Sequence, residues 1–433
     1  MAFLYVNPKG YEVRSFSYSQ GVTFHECAQK YKLQRLDGWN EIGTSAARLF
    51  GLALEAAIKT YHETDLDLEA GIVHFVNEWT DIKELHTFER WAEKNDFSPR
   101  AKSTLKRLGI RGFRAGDPIK YTPGEGNWEN LLQVGQEMLK LYHLRLPLSP
   151  IDLSAQPQFQ IKHYKELFPG TELSGIEFVA YIDMMARDKN SLGDARFWDI
   201  KTSGASLDLT PGILALDQQI RSYAWITGCA DGGMIYFQKQ GRGLERGIEV
   251  SLLADAGDFK AGQSAVVIKY QEAVEAVPAR PADPAKPRSK PKEAVPAVPE
   301  ETWIVENESI IEQMFQHCGK GQTKEEKDAR NIFIRENATL IAKENVTRQK
   351  LHFVTAHISL SDQAEAARQI GQDVAAITHA NAENWWPKTG GVRFPNNRCC
   401  TCQMRGICLD SPELRDKLVH RADDAWDIET DND

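Results

Sequence analysis

The residues of this chain best suited to chemistry are two aspartates and a lysine: Asp183, Asp199 and Lys201. Asp199 and Lys201 are two residues apart, so in a strand their side chains leave the same face. Two carboxylates and the backbone carbonyl of Ile200 offer hard oxygen ligands, which Mg²⁺ and Mn²⁺ prefer. Lys201 could then hold and polarise a water beside the metal. Because an Asp-x-Lys pair is more often a weak, solvated ion pair, the surrounding elements must decide between the two interpretations.

Two short runs of aromatic, β-branched and apolar residues carry this group, at residues 178–186 and 195–202. A polar, glycine-containing segment at residues 188–194 separates them. This pattern predicts two strands of a hairpin. Asp183 then lies on the strand next to Asp199 and adds a second carboxylate to the same face.

A helix is predicted after the hairpin, over residues 210–228. Thr210 could cap its amino end, a proline follows at the first helical position, and Gly228 suits its carboxyl end. Gln219 and Tyr223 are one turn apart and therefore share a face of this helix. The helix thus adds an amide and a phenol to the candidate group.

In this order the motifs resemble those of the PD-(D/E)xK nuclease superfamily and, within it, the RecB-type and CRISPR-associated iron-sulfur exonucleases. The resemblance implies an α/β, restriction-endonuclease-like core with a central mixed sheet flanked by helices. It also implies a metal-dependent nuclease with the following catalytic residues: Asp183, Asp199, Lys201, Gln219 and Tyr223. A predicted strand at residues 234–239 follows, as in the family. Ala180 stands where the family often has glycine, a departure that concerns local packing.

An amphipathic helix is predicted over residues 44–61, with Gly51 four residues before Glu55. Related families place a His or Glu at this spacing as an additional metal ligand. The resemblance therefore implies the metal ligands Glu55, Asp183, Asp199 and the carbonyl of Ile200. A solvated pair between Glu55 and Lys59 fits the sequence equally well.

Four of the seven cysteines fall within ten residues, at Cys399, Cys400, Cys402 and Cys408. This crowding favours metal binding over a secreted disulfide framework. The iron-sulfur exonucleases combine one cysteine near the amino terminus with C-x2-C-x5-C near the carboxyl terminus. The resemblance thus implies a 4Fe-4S cluster on Cys27, Cys399, Cys402 and Cys408, joining distant segments. Zn²⁺ on the same thiolates is the alternative, and Cys400 could replace Cys399.

A local excess of basic residues lies between residues 94 and 120, with Phe97 and Phe113 among them. Such a strip could follow phosphates and stack single-stranded bases, although many charge runs are only solvated faces. We expect DNA-binding roles for Lys94, Arg100, Lys102, Lys106, Arg107, Arg111 and Arg114. The formal net charge of the whole chain is −9, so any nucleic-acid surface must be local.

The composition is that of ordinary globular material: 433 residues, 42% hydrophobic and 26% charged. No apolar run approaches the roughly 20 residues that span a bilayer, and the first residues lack a signal-peptide pattern. We therefore expect an intracellular, cytoplasmic protein. No Gly-x4-Gly-Lys phosphate loop occurs, which argues against an ATP-driven motor.

Four regions are predicted along the chain. A nuclease core occupies residues 1–254, an insertion residues 255–350, a return to the core residues 351–416, and an acidic tail residues 417–433. Within the insertion, seven prolines between residues 278 and 299 favour an extended loop. Residues 265–270 and 302–306 are predicted to pair as a hairpin around it, and helices are predicted at residues 308–317 and 324–344.

These observations predict a metal-dependent deoxyribonuclease, an exonuclease of recombination, repair or phage DNA processing. Its expected substrate is single-stranded DNA or duplex ends, and a recombination or single-strand-binding protein is a candidate partner. Two alternatives remain. One is a catalytically idle nuclease-fold protein that binds DNA or recruits partners through the insertion, and the other is a zinc-stapled DNA-binding protein.

Overall fold

A computed structural model describes the chain except residues 1–2, 8–9, 42–43, 88–118, 121–127, 190–194, 241–243, 245, 280–292, 307, 389–398, 400–401, 412–417 and 421–433. The chain forms two compact units. The first contains Met1–Gly135, Pro147–Phe237 and His352–Asp433, and the second contains Gln136–Leu146 and Gln238–Leu351. No helix within the described ranges is long and apolar enough to span a membrane.

The described helices are α1 Tyr18–Glu26, α2 Ala28–Tyr31, α3 Ala46–Glu63, α4 Leu68–Thr87, α5 Trp128–Arg145, α6 Gln218–Thr227, α7 Glu308–Cys318, α8 Lys324–Asn337, α9 Leu360–Ala382 and α10 Arg405–Cys408. Shorter helical turns are a π-helix at Lys32–Leu36 and 3₁₀-helices at Leu146–Leu148, Ile213–Leu216 and Lys343–Asn345. The strands are β1 Tyr5–Val6, β2 Glu12–Val13, β3 Ser15–Phe16, β4 Trp39–Glu41, β5 Thr44–Ser45, β6 Ile119–Lys120, β7 Gln158–Glu166, β8 Glu177–Arg187, β9 Ala195–Ser203, β10 Asp231–Gln238, β11 Ile248–Leu252, β12 Ser264–Gln271, β13 Glu301–Val305, β14 Thr339–Ile341, β15 Val346–Thr347, β16 Lys350–His357 and β17 Leu418–His420.

The central sheet of the first unit is built around β8. β7 pairs antiparallel along nearly all of β8, from Gln158 opposite Met185 to Glu166 opposite Glu177. β7 occupies one edge of β8, so β9 and β3 both pair with the opposite edge. β9 pairs antiparallel near the carboxyl end of β8, and β3 pairs parallel near its amino end. β10 and β16 extend the sheet beyond β9. The sheet is therefore mixed, as predicted.

Helices pack around this sheet because its strands are apolar on both faces. On β9, Phe197 and Trp198 are adjacent and fully buried, although successive side chains of a strand point to opposite faces. One apolar cluster joins α6 and α9 to the sheet through Phe178, Ile220 and Val374. The α/β class predicted from the sequence agrees with this arrangement.

The second unit contains a five-stranded antiparallel sheet in the order β14-β13-β12-β11-β15. Successive residues of β12 alternate between two apolar clusters: Val267 belongs to one and Val266 to the other. The second cluster includes Met314 of α7 and Ile334 of α8, so helices cover that face. The predicted hairpin is confirmed, because β12 and β13 pair with Gln271 opposite Glu301.

Two predicted helices were too long. The helix predicted over residues 324–344 ends at Asn337, and β14 follows it. The helix predicted to begin at Thr210 begins at Gln218, after a separate 3₁₀ turn. The side chain of Thr210 does not cap that helix, because its hydroxyl donates to Asp208 at 2.7 Å.

Candidate active site

The two aspartates of the candidate group lie where β8 and β9 separate. The register between the strands runs from Arg187 opposite Ala195 to Met184 opposite Trp198. At the next position the Asp183 carboxylate accepts a hydrogen bond from the backbone N–H of Ile200 at 2.7 Å. A carboxylate thus takes the place of main-chain pairing at this point.

Asp199 is the centre of a small polar network. Its Oδ1 atom accepts hydrogen bonds from Lys201 Nζ at 2.9 Å and Gln219 Nε2 at 3.2 Å. The same Gln219 amide donates to the Tyr223 hydroxyl at 2.7 Å. The side chain of Asp199 is 1% exposed, whereas that of Lys201 is 42% exposed. The lysine therefore connects a buried carboxylate with the surface.

The amino end of α6 holds Gln219 and Tyr223 in position. Asp217 is the N-cap residue, and its Oδ1 accepts from the backbone N–H groups of Gln219 at 2.8 Å and Ile220 at 3.0 Å. Gly228 ends the helix with a φ of 71°, a left-handed conformation that glycine adopts without steric cost. The cap thus fixes the backbone of the residue that contacts Asp199.

A second element, α3, brings Glu55 to the same region. Gly51 permits a close approach of α3 to β9, because a Cβ atom at this position would lie 3.3 Å from Thr202 Oγ1. One turn later, Glu55 Oε1 accepts from Gln160 Nε2 at 3.5 Å. Gln160 lies between the Phe159–Met184 and Ile161–Ile182 pairs of the β7–β8 register, with an unusual φ of 53° for a residue other than glycine.

The three carboxyl groups are near enough to perturb one another. Burial raises the pKa of Asp183 well above its ordinary value, and the charges of Asp199 and Glu55 raise it further. Burial also raises the pKa of Asp199, although Lys201 opposes this effect. Burial raises the pKa of Glu55, and the hydrogen bond from Gln160 lowers it by less. Three clustered carboxyl groups with raised pKa values form a site that a nearby cation would stabilise.

The lysine and the tyrosine respond to the same charges. Burial lowers the pKa of Lys201, but Asp199 and Asp183 outweigh this effect, so the net pKa is raised. Lys201 is therefore an ammonium at neutral pH and cannot serve as a general base there. Burial and the charge of Asp199 raise the pKa of Tyr223, so its phenol stays protonated.

The donor set fits a hard divalent cation. Asp199 Oδ2 is buried and has no hydrogen-bond partner within the described residues, although burying a polar atom without a partner is costly. A cation beside Oδ2 would remove that cost, and the Asp183 carboxylate, which accepts from the Ile200 N–H, offers a second oxygen donor. As the side chains stand, no three His, Cys, Asp or Glu residues in the described ranges are close enough to bind one ion. The fit thus rests on two aspartates, with Glu55 further out.

The four predicted cluster cysteines are described by the structure and affect one another electrostatically, but within the described ranges no three of them are placed to hold one metal ion. Burial raises the pKa of the Cys402 thiol, and Cys27 and Cys399 raise it further. Burial raises the pKa of the Cys408 thiol, and the other three cysteines add to this effect. Cys27 lies between α1 and α2, while Cys408 ends α10. Cys400 lies outside the described residues.

The predicted basic strip cannot be placed, because Lys94, Arg100, Lys102, Lys106, Arg107, Arg111 and Arg114 lie outside the described residues. Two residues near the site were not predicted from the sequence. Asp217 could have been found, since an aspartate directly before an amphipathic run is an N-cap signal. Gln160 could not, because no sequence pattern marks a glutamine with positive φ.

Comparisons with known proteins add one strong match. The profile of the PD-(D/E)XK nuclease superfamily matches residues 15–409 of this chain. No curated protein matches it in sequence. A solved structure described as "Crystal structure of SSO0001" is similar with 13% identity and a TM-score of 0.16, over 38% of this chain. The similar region spans 59% of the length of that structure.

Proposed function

Since the chain belongs to the PD-(D/E)XK nuclease superfamily, we propose that it is a metal-dependent deoxyribonuclease that acts as an exonuclease in DNA recombination, repair or phage DNA processing. The observation that carries the proposal is the buried, unpartnered Oδ2 atom of Asp199 beside Asp183 and Lys201. An idle scaffold would gain nothing from this costly arrangement. An enzyme would gain from it, because a bound cation and the substrate phosphate would both interact with these side chains.

We assign Mg²⁺ or Mn²⁺ to Asp183, Asp199 and the Ile200 carbonyl, with Glu55 as an additional ligand. Such an ion, when bound, lowers the pKa of an attacking water and stabilises negative charge on a phosphate. The tendency of the three carboxyl groups to protonate implies that cation binding and proton release are coupled.

The remaining roles belong to the protein's own side chains. The Lys201 ammonium orients a water through its N–H groups and offsets negative charge that develops on the phosphate oxygens. Gln219 donates to Asp199 and keeps its Oδ1 in place, so that Oδ2 stays directed into the site. Tyr223 holds the Gln219 amide in that orientation.

The four cysteines form the second proposed metal site. We assign a 4Fe-4S cluster to Cys27, Cys399, Cys402 and Cys408, and the influence of Cys27 and Cys399 on the pKa values of the Cys402 and Cys408 thiols supports this assignment. Zn²⁺ would use the same ligands, but it lacks visible absorbance. A brown, visibly absorbing protein after anaerobic purification is therefore the expected result, and a colourless protein with one bound zinc would replace the cluster by Zn²⁺.

The nuclease proposal is tested by incubating end-labelled single-stranded and duplex DNA with the full chain and Mg²⁺ or Mn²⁺. We expect cleavage by the wild-type chain and none by Asp199→Ala or without metal. The label then gives the polarity of digestion. If wild-type protein of native fold cleaves none of these substrates, the idle nuclease-fold alternative replaces the proposal.

A further inference from the structure

A cavity of about 450 Å³ lies in the first unit between α1, α6 and α9, outside the group of acidic residues. This volume falls within the range of small-molecule binding sites. Part of its wall is apolar and buried, formed by Phe16, Ala366 and Ile370. Polar side chains line the rest, including His25, Gln369 and Asp373. The cavity therefore offers apolar surfaces together with a hydrogen-bonding edge.

Asp373 forms that edge. Its side chain is 10% exposed, and its Oδ1 atom is bonded to His25 Nε2 at 2.7 Å and to Gln369 Nε2 at 2.8 Å. Its other oxygen, Oδ2, accepts no hydrogen bond from the residues that the structure describes. Gly21 leaves space beside this oxygen, because a Cβ at residue 21 would lie 3.0 Å from Oδ2 and 3.2 Å from Phe16. The cavity thus contains a carboxylate held in place through Oδ1, whose Oδ2 can accept a further hydrogen bond.

The charges of the cavity exclude a phosphate as its occupant. Both carboxylates that line it, Glu26 and Asp373, would repel an anion, and Glu26 already pairs with Lys30 at 2.6 Å. A neutral, flat ligand with an N–H group fits better. Apolar walls can stack against its faces, and Asp373 can accept from its edge.

The cavity is also next to the catalytic group. Gln218 and Ser222 line it, and each directly precedes a residue of the Gln219–Tyr223 pair on α6. Since an α-helix turns about 100° per residue, the cavity lies around the helix from the catalytic face. Tyr18 spans both regions: it lines the cavity, and the charges of Asp217 and Asp199 raise its pKa after burial.

We propose that this cavity binds one unstacked nucleobase of the DNA strand beside the scissile phosphodiester, and that Asp373 favours bases with an exocyclic amino group. The inference rests on the proposed nuclease function. A carboxylate accepts from the amino group of cytosine, whereas thymine presents an acceptor oxygen at the same position. Thymine also differs from cytosine by its C5 methyl group and its N3–H donor, so oligo-dU, which lacks the methyl group, is titrated beside oligo-dT as a second reference.

The test measures binding and needs no cleavage. The full chain carrying Asp199→Ala is titrated with fluorescently labelled oligo-dC and oligo-dT of equal length, at mildly alkaline pH where cytosine is neutral. A homopolymer places the same base in the cavity in every register. We expect oligo-dC to bind about tenfold more tightly, the effect of one hydrogen bond to a charged group.

Asp373→Asn in the same background should bring the affinity ratio close to one, because its amide can donate to the thymine oxygen. Glu365→Gln is the matched control: it removes a negative charge from the same helix outside the cavity and should leave the ratio unchanged. Gly21→Ala, which crowds Oδ2, should also reduce the ratio.

Equal affinities of the Asp199→Ala protein for the two oligonucleotides would overturn the inference, as would a ratio that Asp373→Asn leaves unchanged. The inference would also be overturned if neither oligonucleotide bound to the Asp199→Ala protein. If the oligonucleotides bind with the expected preference but the wild-type chain cleaves no DNA, the proposed nuclease function fails and the base site stands.

Discussion

At the scale of single residues, Lys201 has a role that can be separated from metal binding. Its ammonium is bonded to Asp199, yet it is not itself a cation ligand. We expect Lys201→Ala to lower the cleavage rate by about 10²–10⁴-fold, as for other groups that act on the attacking water or its protons. Mn²⁺ affinity, measured by calorimetry, should change little.

The control for this variant is Lys343→Ala, which removes another partly exposed lysine, one that lies 2.9 Å from Glu300 in the second unit. It should cleave DNA like the wild type. A Lys201→Ala protein that has lost Mn²⁺ binding would show that the lysine organises the ligands, and the assigned role would then be wrong.

Asp183 couples stability to pH. Its pKa is raised in the folded state by burial and by its acidic neighbours. The stability linked to this group is present below the ordinary aspartate pKa and is lost as the pH rises through the raised value. Without metal, the free energy of unfolding of the wild type should therefore fall with rising pH relative to Asp183→Asn. At neutral pH the variant should be more stable by about 1 kcal/mol or more.

Chemical denaturation at several pH values, with and without Mg²⁺, measures this effect. Adding Mg²⁺ should stabilise the wild type by mass action and the variant much less, because the variant lacks a charged ligand. If Asp183→Asn is the less stable protein at neutral pH without metal, the interpretation of Asp183 as a strained carboxyl is incorrect.

At the scale of elements, the strands that carry Asp183 and Asp199 followed from local pattern, but helix α6 began seven residues later than predicted, with its cap at Asp217 and not at Thr210. Thr210 and the proline after it are good start signals, yet Gly212 has a φ of 83° and interrupts the helix there. Left-handed backbone at one glycine is a tertiary choice that the sequence pattern did not reveal. Gly228, by contrast, ended α6 as predicted, because a glycine at a helix end satisfies a purely local need.

The corrected start of α6 gives a prediction for its cap. Asp217→Ala removes the acceptor of the Gln219 and Ile220 N–H groups and should cost about 1 kcal/mol of stability. It should also lower the cleavage rate, because Gln219 is the first residue that the cap fixes. Thr210→Ala, at the cap position expected from sequence, should leave both quantities nearly unchanged. Thermal unfolding and single-turnover cleavage measure the two effects, and equal losses in both variants would contradict the assigned cap.

At the scale of the whole molecule, the residues proposed for the two sites were grouped from the sequence in two different ways. Asp183, Asp199 and Gln219 are near one another in the chain, so strand and helix periodicity sufficed to group them. Glu55 and the cysteines were grouped through the family resemblance alone, since no local pattern links segments hundreds of residues apart. The second unit begins in α5, with Gln136–Leu146, which composition could not reveal because that helix is continuous in sequence.

The proposed cluster gives the prediction that concerns the whole molecule. Cys27 and Cys399 are 372 residues apart (399 minus 27), and the structure places both near Cys402. A cluster that crosslinks such a span restricts the unfolded chain by about 6 kcal/mol in the chain-entropy treatment of crosslinks. Cys27→Ser should therefore lose visible absorbance and much of the stability of the first unit, with cleavage lost only as far as the protein unfolds.

Cys229→Ser is the control, because its thiol donates to the Ala195 carbonyl. This variant should keep both the absorbance and the stability. A Cys27→Ser protein that remains folded and brown would show that Cys27 is not a ligand, and one that is folded, colourless and inactive would show that the cluster takes part in the reaction or in DNA binding.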